Sequence, residues 1–338
     1  MKVWHNKAHQ KHNGLSRMQD PYNMECPERI SIILEELQSR RLADIIEPSS
    51  YAIEEILRVH DPEYVSFLET AYQNWRASGN TGELMPPYSR DSSRSVAPRE
   101  FYDRVVYYTL TAETAIGADT YSAAKVSADI ALSGIADICA GTPYGFALCR
   151  PPGHHAPQDQ FGGFCYFNNA AIAAYHALKL GADRVAVLDI DYHHGNGTQS
   201  ILEAEPRIFF ASLHADTRHA YPYILGQSSE TGIGEAIGTM QNYPMPAFTE
   251  DDVWREALHA ALERIRDYDP DILLVSLGVD TFIGDPISDF CLKTDDYSRY
   301  GGMIAGLGKP TLFVMEGGYN LDYIGVNVAN VLEGFMQG

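Results

Sequence analysis

The chain has 338 residues, 45% of them hydrophobic, and a formal net charge of −20. That length and apolar content suit a large buried core, the charge disfavours a nucleic-acid partner, and no apolar run reaches the roughly 18 residues of a membrane-spanning helix. Five cysteines without CxxC spacing, and a start at Met1-Lys2-Val3-Trp4-His5 with no apolar stretch, lead us to expect reduced thiols in a cytoplasmic protein with no membrane partner.

In chain order, helical periodicity covers residues 27–40 and 62–75. Residues 81–100 follow, rich in Ser, Pro and Arg and without a period, and read as a loop insertion. A helical pattern spans 122–140. Apolar strands at 145–149, 185–190, 208–213, 272–277 and 310–315 then alternate with helices at 169–180, 251–267, 295–307 and 322–335. Thr249 and Thr294 are expected N-caps, and Gly141 and Gly181 helix stops. Strands this continuously apolar belong to a parallel sheet buried on both faces. The alternation implies βαβ units. The expected fold is α/β, a three-layer α/β/α single domain over 1–338 with a mainly parallel central sheet.

Each strand end carries chemistry. The first runs into Arg150-Pro151-Pro152-Gly153-His154-His155, the second into Asp189, Asp191 and His193, and the third into Leu213-His214-Ala215-Asp216. The fourth runs into Gly278-Val279-Asp280 and the fifth into Glu316-Gly317-Gly318-Tyr319. Ligands of open α/β sheets bind at the carboxyl ends of strands, so these clusters are expected in one layer.

Asp189 and Asp191 alternate along their strand and share a face. A buried carboxylate is costly unless something pairs with it. Asp191, His193 and Asp280 offer two oxygens and one nitrogen, three protein ligands that leave a position open, as at a catalytic zinc. A structural ion-pair network is the alternative for an isolated Asp-x-His. The accompanying His154-His155 and Gly317-Gly318-Tyr319 favour a site. Adjacent histidines in a loop can both face a pocket and move protons. Each needs an orienting partner on its other nitrogen, and Asp189 and Asn196 are nearest in sequence. Tyr319, behind two glycines, can donate to a carbonyl becoming an oxyanion. Phe164, behind Gly162-Gly163, suits the wall of a narrow channel, and Tyr221 a second wall. His194 is expected to be structural.

These residues together resemble the histone deacetylase superfamily, and within it the bacterial acetylpolyamine amidohydrolase branch. The matching blocks are Pro27-Glu28-Arg29, Val59-His60-Asp61, RPPGHHA at 150–156, FGGFCYFNNAA at 161–171, LDIDYHHGNGTQ at 188–199, FFASLHAD at 209–216, SLGVDTF at 276–282 and MEGGYN at 315–320. The resemblance implies one zinc per chain on Asp191, His193 and Asp280. It implies His155 as general base and then acid, His154 as its electrostatic partner, and Tyr319 on the scissile carbonyl. Phe164 and Tyr221 match the acyl-channel walls. Asp189, Asp191 and Ser212, with the carbonyls of His193 and Leu213, match a potassium site. Asn196 follows the pattern of the class II-like and polyamine branches.

The polyamine branch is favoured by Asp285-Pro286-Ile287-Ser288, by residues 324–331, and by Glu113, which matches an acid at the channel mouth. A second mouth acid of that branch is Tyr102 here, with Glu100 and Asp103 beside it. The implied function is zinc-dependent hydrolysis of a small cationic acetylated amine to amine and acetate, with protein acetyl-lysine deacetylation as the alternative. The negative charge is compatible with a cationic substrate. In the branch, an insertion like 81–100 packs at a homodimer interface and narrows the mouth. A silent binder of acetylated ligands would have lost a zinc ligand, a histidine or the tyrosine, and none is lost. A dimanganese hydrolase would want further acids where His194 and Asn196 stand.

Overall fold

A computed structural model describes residues 1–12, 24–89 and 96–338. The described strands are β1 (Lys2–Trp4), β2 (Asp44–Ile46), β3 (Tyr144–Ala147), β4 (Val185–Asp189), β5 (Ile208–Ala215), β6 (Met240–Met245), β7 (Ile272–Leu277) and β8 (Thr311–Met315). They form one sheet in the order β2-β1-β3-β8-β7-β4-β5-β6, and every ladder is parallel.

Strand residues alternate between two cores. Val185, Val187, Leu274 and Val314 enter one, whereas Ala186, Leu188, Val275 and Phe313 enter the other. The first core is covered by α2 (Pro62–Ala77), α3 (Phe101–Tyr107), α4 (Thr120–Cys139), α5 (Asn169–Lys179) and α6 (Asn196–Leu202). The second is covered by α1 (Glu28–Ser39), α7 (Asp251–Tyr268), α8 (Asp296–Ala305) and α9 (Ile324–Gln337). The fold is therefore the expected three-layer α/β/α arrangement. Both strand faces are dry, which is why the central strands read as unbroken apolar runs.

The five strands expected from the sequence are β3, β4, β5, β7 and β8, next to one another in the middle of the sheet. Register brings their ends level, with Asp189 opposite Ser212 on one side and Ser276 on the other. Three edge-side strands escape the pattern. β1 and β2 are only three residues long, and β6 carries Pro244, which an edge strand tolerates because one side of it needs no ladder donor. The short helices α3 and α6 also escape it.

The expected threonine caps are corrected. α7 is preceded by Glu250 and α8 by Asp295, neither with a side-chain cap. The Thr249 hydroxyl donates instead to the Pro246 carbonyl at 2.7 Å. Gly141 and Gly181 do follow their helices, in left-handed conformation. Of the insertion 81–100, residues 90–95 lie outside the described part. Before them, buried Leu84 bridges to Ile116 through hydrogen bonds of 2.8 and 2.9 Å.

Candidate active site

Asp191 and His193 leave the end of β4, and Asp280 lies three residues past β7. Ligand atoms of these three buried side chains lie within 4.8 Å of one another. His193 Nδ1 is 2.9 Å from Asp280 Oδ2 and 3.3 Å from Asp191 Oδ1. Backbone N–H groups fix the carboxylates: Gly317 donates to Asp191 Oδ2 at 2.8 Å, His193 to Asp191 Oδ1 at 2.9 Å, and Tyr192 to Asp280 Oδ1 at 2.9 Å. Only glycine fits at 317, because a Cβ there would sit 2.5 Å from Asp191 Oδ2 and 2.6 Å from Asp280 Oδ2.

Burial, then the charge of Asp191, pushes the Asp280 carboxyl up to about 6. Burial opposes the charge on His193, but the two carboxylates prevail and raise it to about 9. Two buried carboxylates thus share one imidazole's positive charge. A divalent cation relieves that imbalance, and a donor set of two oxygens and one imidazole nitrogen fits zinc.

The tandem histidines face this cluster from the loop after β3. Their rings lie 4.0 Å apart and are oriented by different partners. His154 Nδ1 lies 3.0 Å from Asp189 Oδ2, and His155 Nδ1 lies 2.7 Å from Asn196 Oδ1. The carboxylates of Asp191 and Asp189 overcome burial and raise His154 to about 10. Burial, then the charges of His154 and His193, drives His155 well below the usual imidazole range. An amide oxygen only accepts, so the neutral His155 ring carries its proton on Nδ1 and leaves the Nε2 lone pair free. Neighbouring imidazoles with opposite proton affinity are a mark of an acid–base site.

Tyr319 follows β8. Its N–H donates to Asp285 Oδ2 at 2.7 Å, and the Arg29 guanidinium lies 4.8 Å from its ring centroid. Burial raises the phenol well above its usual range even though Arg29 pulls the other way, so it is a hydrogen-bond donor at neutral pH. Together with His155 and His193 it lines a cavity of about 220 Å³, walled by Phe164, Tyr221 and Ile287, with Glu113 and Gly163 completing the lining. None of Glu100, Tyr102 and Asp103 lines that cavity.

Of the residues matched to a potassium site, Asp191 and His193 belong to the cluster itself, and the others come from β4 and β5. Asp189 and Ser212 face each other in register across β4 and β5, and Leu213 is the next residue along β5. Asp189 Oδ1 accepts the Asp191 N–H at 3.1 Å, while Ser212 Oγ is 2.9 Å from His214 Nδ1. His194 is fully buried, with Nε2 2.9 Å from Gln199 Oε1 and no contact with the cavity.

Several supporting groups had no role in the sequence reading. Glu316 Oε2 accepts the N–H groups of Gly153 and His154 at 2.7 and 3.1 Å, so the end of β8 grips the histidine loop. Arg29 donates to the carbonyls of Gly318 and Glu316 at 2.7 and 2.6 Å, fastening the Tyr319 turn. Glu25 accepts from both Arg29 and Arg150, at 2.9 and 2.8 Å. The one sequence signal for Glu316 was a charged residue ending an apolar strand.

Residues 23–335 match the family model of the histone deacetylase domain. The chain is 47% identical over 313 residues to the acetylpolyamine amidohydrolase of Mycoplana ramosa, covering 92% of this chain and 91% of that one. It is 44% identical over 333 residues to acetylpolyamine amidohydrolase 1 of Pseudomonas aeruginosa, covering 97% and 96%. The crystal structure of acetylpolyamine aminohydrolase from Burkholderia pseudomallei superposes with a TM-score of 0.93 at 35% identity, over 99% of this chain and 98% of the other. The chain belongs to the histone deacetylase family.

Proposed function

We propose that the chain is a zinc-dependent amidohydrolase that removes acetyl groups from acetylated polyamines or other small acetylated amines, releasing acetate. One observation carries this reading. The Asp191–His193–Asp280 donor set, two histidines of opposite proton affinity and the Tyr319 phenol meet at one narrow cavity that includes an acid, Glu113. The names of the relatives support the substrate class.

Asp191, His193 and Asp280 would hold one zinc per chain, which when bound polarises the acetamide carbonyl and makes a neighbouring water more acidic. His155, with its Nδ1 proton committed to Asn196, offers Nε2 as the base that takes the water proton. His154, cationic beside Asp189 and Asp191, disfavours a lasting positive charge on His155 and so favours passing the proton on. Tyr319 donates to the carbonyl oxygen as it gains negative charge. His155 or His154 then gives a proton to the departing amine. Phe164 and Tyr221 admit a slender chain, and Glu113 receives the distal ammonium of a cationic substrate.

The proposal extends to a structural potassium ion at Asp189, Asp191, Ser212 and the carbonyls of His193 and Leu213. It also includes a cytoplasmic homodimer in which residues 1–338 act as one catalytic domain. A light-scattering mass of one chain would overturn the dimer. For the reaction itself, acetate release from N-acetylputrescine is expected to vanish after treatment with a chelator and to return with zinc. Full turnover in the chelated protein would overturn metal dependence.

A further inference from the structure

Thr111 lies between α3 and α4, and its hydroxyl is a three-way junction at the channel mouth. It donates to Glu113 Oε1, accepts the Gly163 N–H at 3.0 Å, and lies 3.2 Å from the Tyr221 hydroxyl. A hydroxyl has one proton and two lone pairs. With its proton on the carboxylate, both lone pairs are left for Gly163 N–H and Tyr221 O–H, so all three bonds are satisfied at once. Glu113 Oε1 also accepts the Gly163 N–H at 3.0 Å and the Thr114 hydroxyl at 3.4 Å. Among the described residues no hydrogen bond reaches Glu113 Oε2.

The segment that carries these groups is tied at both ends. Leu110 N–H donates to the Phe161 carbonyl at 2.7 Å, and Ile116 N–H to the Leu84 carbonyl at 2.9 Å. Thr114 Oγ1 accepts the Phe164 N–H at 2.9 Å, bracing a wall residue whose φ of +65° is uncommon for a bulky side chain. At Gly163, where φ is +55°, a Cβ would stand 2.4 Å from the His155 ring and 2.8 Å from the Tyr221 hydroxyl. The walls and the acid therefore share one frame, and the Thr111 hydroxyl is where they join.

We propose that Thr111 is a specificity-determining positioning residue: it holds the Glu113 carboxylate in place at the mouth, with one oxygen left for the distal ammonium of the substrate. This rests on the reading of Glu113 as the cation-receiving group. A glutamate on an exposed loop loses rotamer freedom when it pairs with a ligand. The Thr111 bond fixes that rotamer before the substrate arrives. A hydrogen bond to a charged group is worth about tenfold or more in an equilibrium.

The test compares wild type, Thr111→Val, Thr111→Ser and Glu113→Gln on two substrates of equal length. One is N-acetyl-1,4-diaminobutane, and the other is N-pentylacetamide, in which a methyl replaces the ammonium. For Thr111→Val the ratio of kcat/KM, cationic over neutral, is expected to fall about tenfold through KM, for Thr111→Ser to recover, and for Glu113→Gln to fall at least as far. Equal losses on both substrates in Thr111→Val would mean only a displaced wall and would overturn the proposal. So would an unchanged ratio in Thr111→Val alongside a reduced one in Glu113→Gln. An unchanged ratio in Glu113→Gln would remove the reading of Glu113 and the proposal with it, whereas a wild type inert on both would fail the deacetylase reading itself.

Discussion

The Tyr319 phenol depends on a turn held from two directions, by the Asp285 carboxylate on its N–H and by Arg29 on the flanking carbonyls. Fixing the donor before the reaction is what makes such a hydrogen bond effective against developing charge. Removal of the hydroxyl alone, in Tyr319→Phe, is expected to lower kcat by roughly a hundredfold or more, with KM for the acetylated amine little changed. Steady-state kinetics check this, and near-normal turnover would take Tyr319 out of the mechanism. The side chains placed at the chemistry were legible in the sequence because their identities are rare in that setting: carboxylates, imidazoles and a phenol at the ends of apolar strands. Their orienting partners Asp189 and Asn196 were legible by proximity in the chain. Glu316, Asp285, Arg29 and Thr111 were not. Glu316 grips a backbone 163 residues earlier in sequence, and Arg29 reaches carbonyls nearly three hundred residues away, 289 for Gly318. Such roles exist only once the sheet has brought the segments together.

Among the elements, the central strands carried their own signature because both faces are buried. The edges did not: β2 is largely exposed, and β6 carries adjacent Gln241 and Asn242 and then Pro244. The pairing of α8 with α9 was likewise invisible in either helix alone. It depends on Gly301, where a Cβ would lie 2.0 Å from the Val331 carbonyl oxygen and 2.7 Å from the Phe335 nitrogen. At its neighbour Gly302 a Cβ would meet only the Gly334 carbonyl oxygen of α9, at 3.7 Å, an ordinary contact. Gly301→Ala must push the helices apart and is expected to cost about 1–3 kcal/mol. Gly302→Ala gains helix propensity and is expected to stabilise by about 0.5–1 kcal/mol. Urea unfolding midpoints that move in opposite directions would bear this out. Equal shifts would mean that the helices do not cross at Gly301.

Across the molecule, one parallel sheet does the assembling. Because every described ladder runs the same way, all the strand ends open on one side, and four of the five clusters scattered from Arg150 to Tyr319 meet at one site. The net charge of −20 is compatible with an ammonium-bearing substrate steered by a negative field. A protein deacetylase would share this chemistry, and substrate preference tells the two apart. The most direct measurement is kcat/KM on N-acetylputrescine, N-acetylcadaverine, N-acetylspermidine and an acetyl-lysine peptide under one set of conditions. The acetylated amines are expected to exceed the peptide clearly, and a clear preference for the peptide would contradict the account.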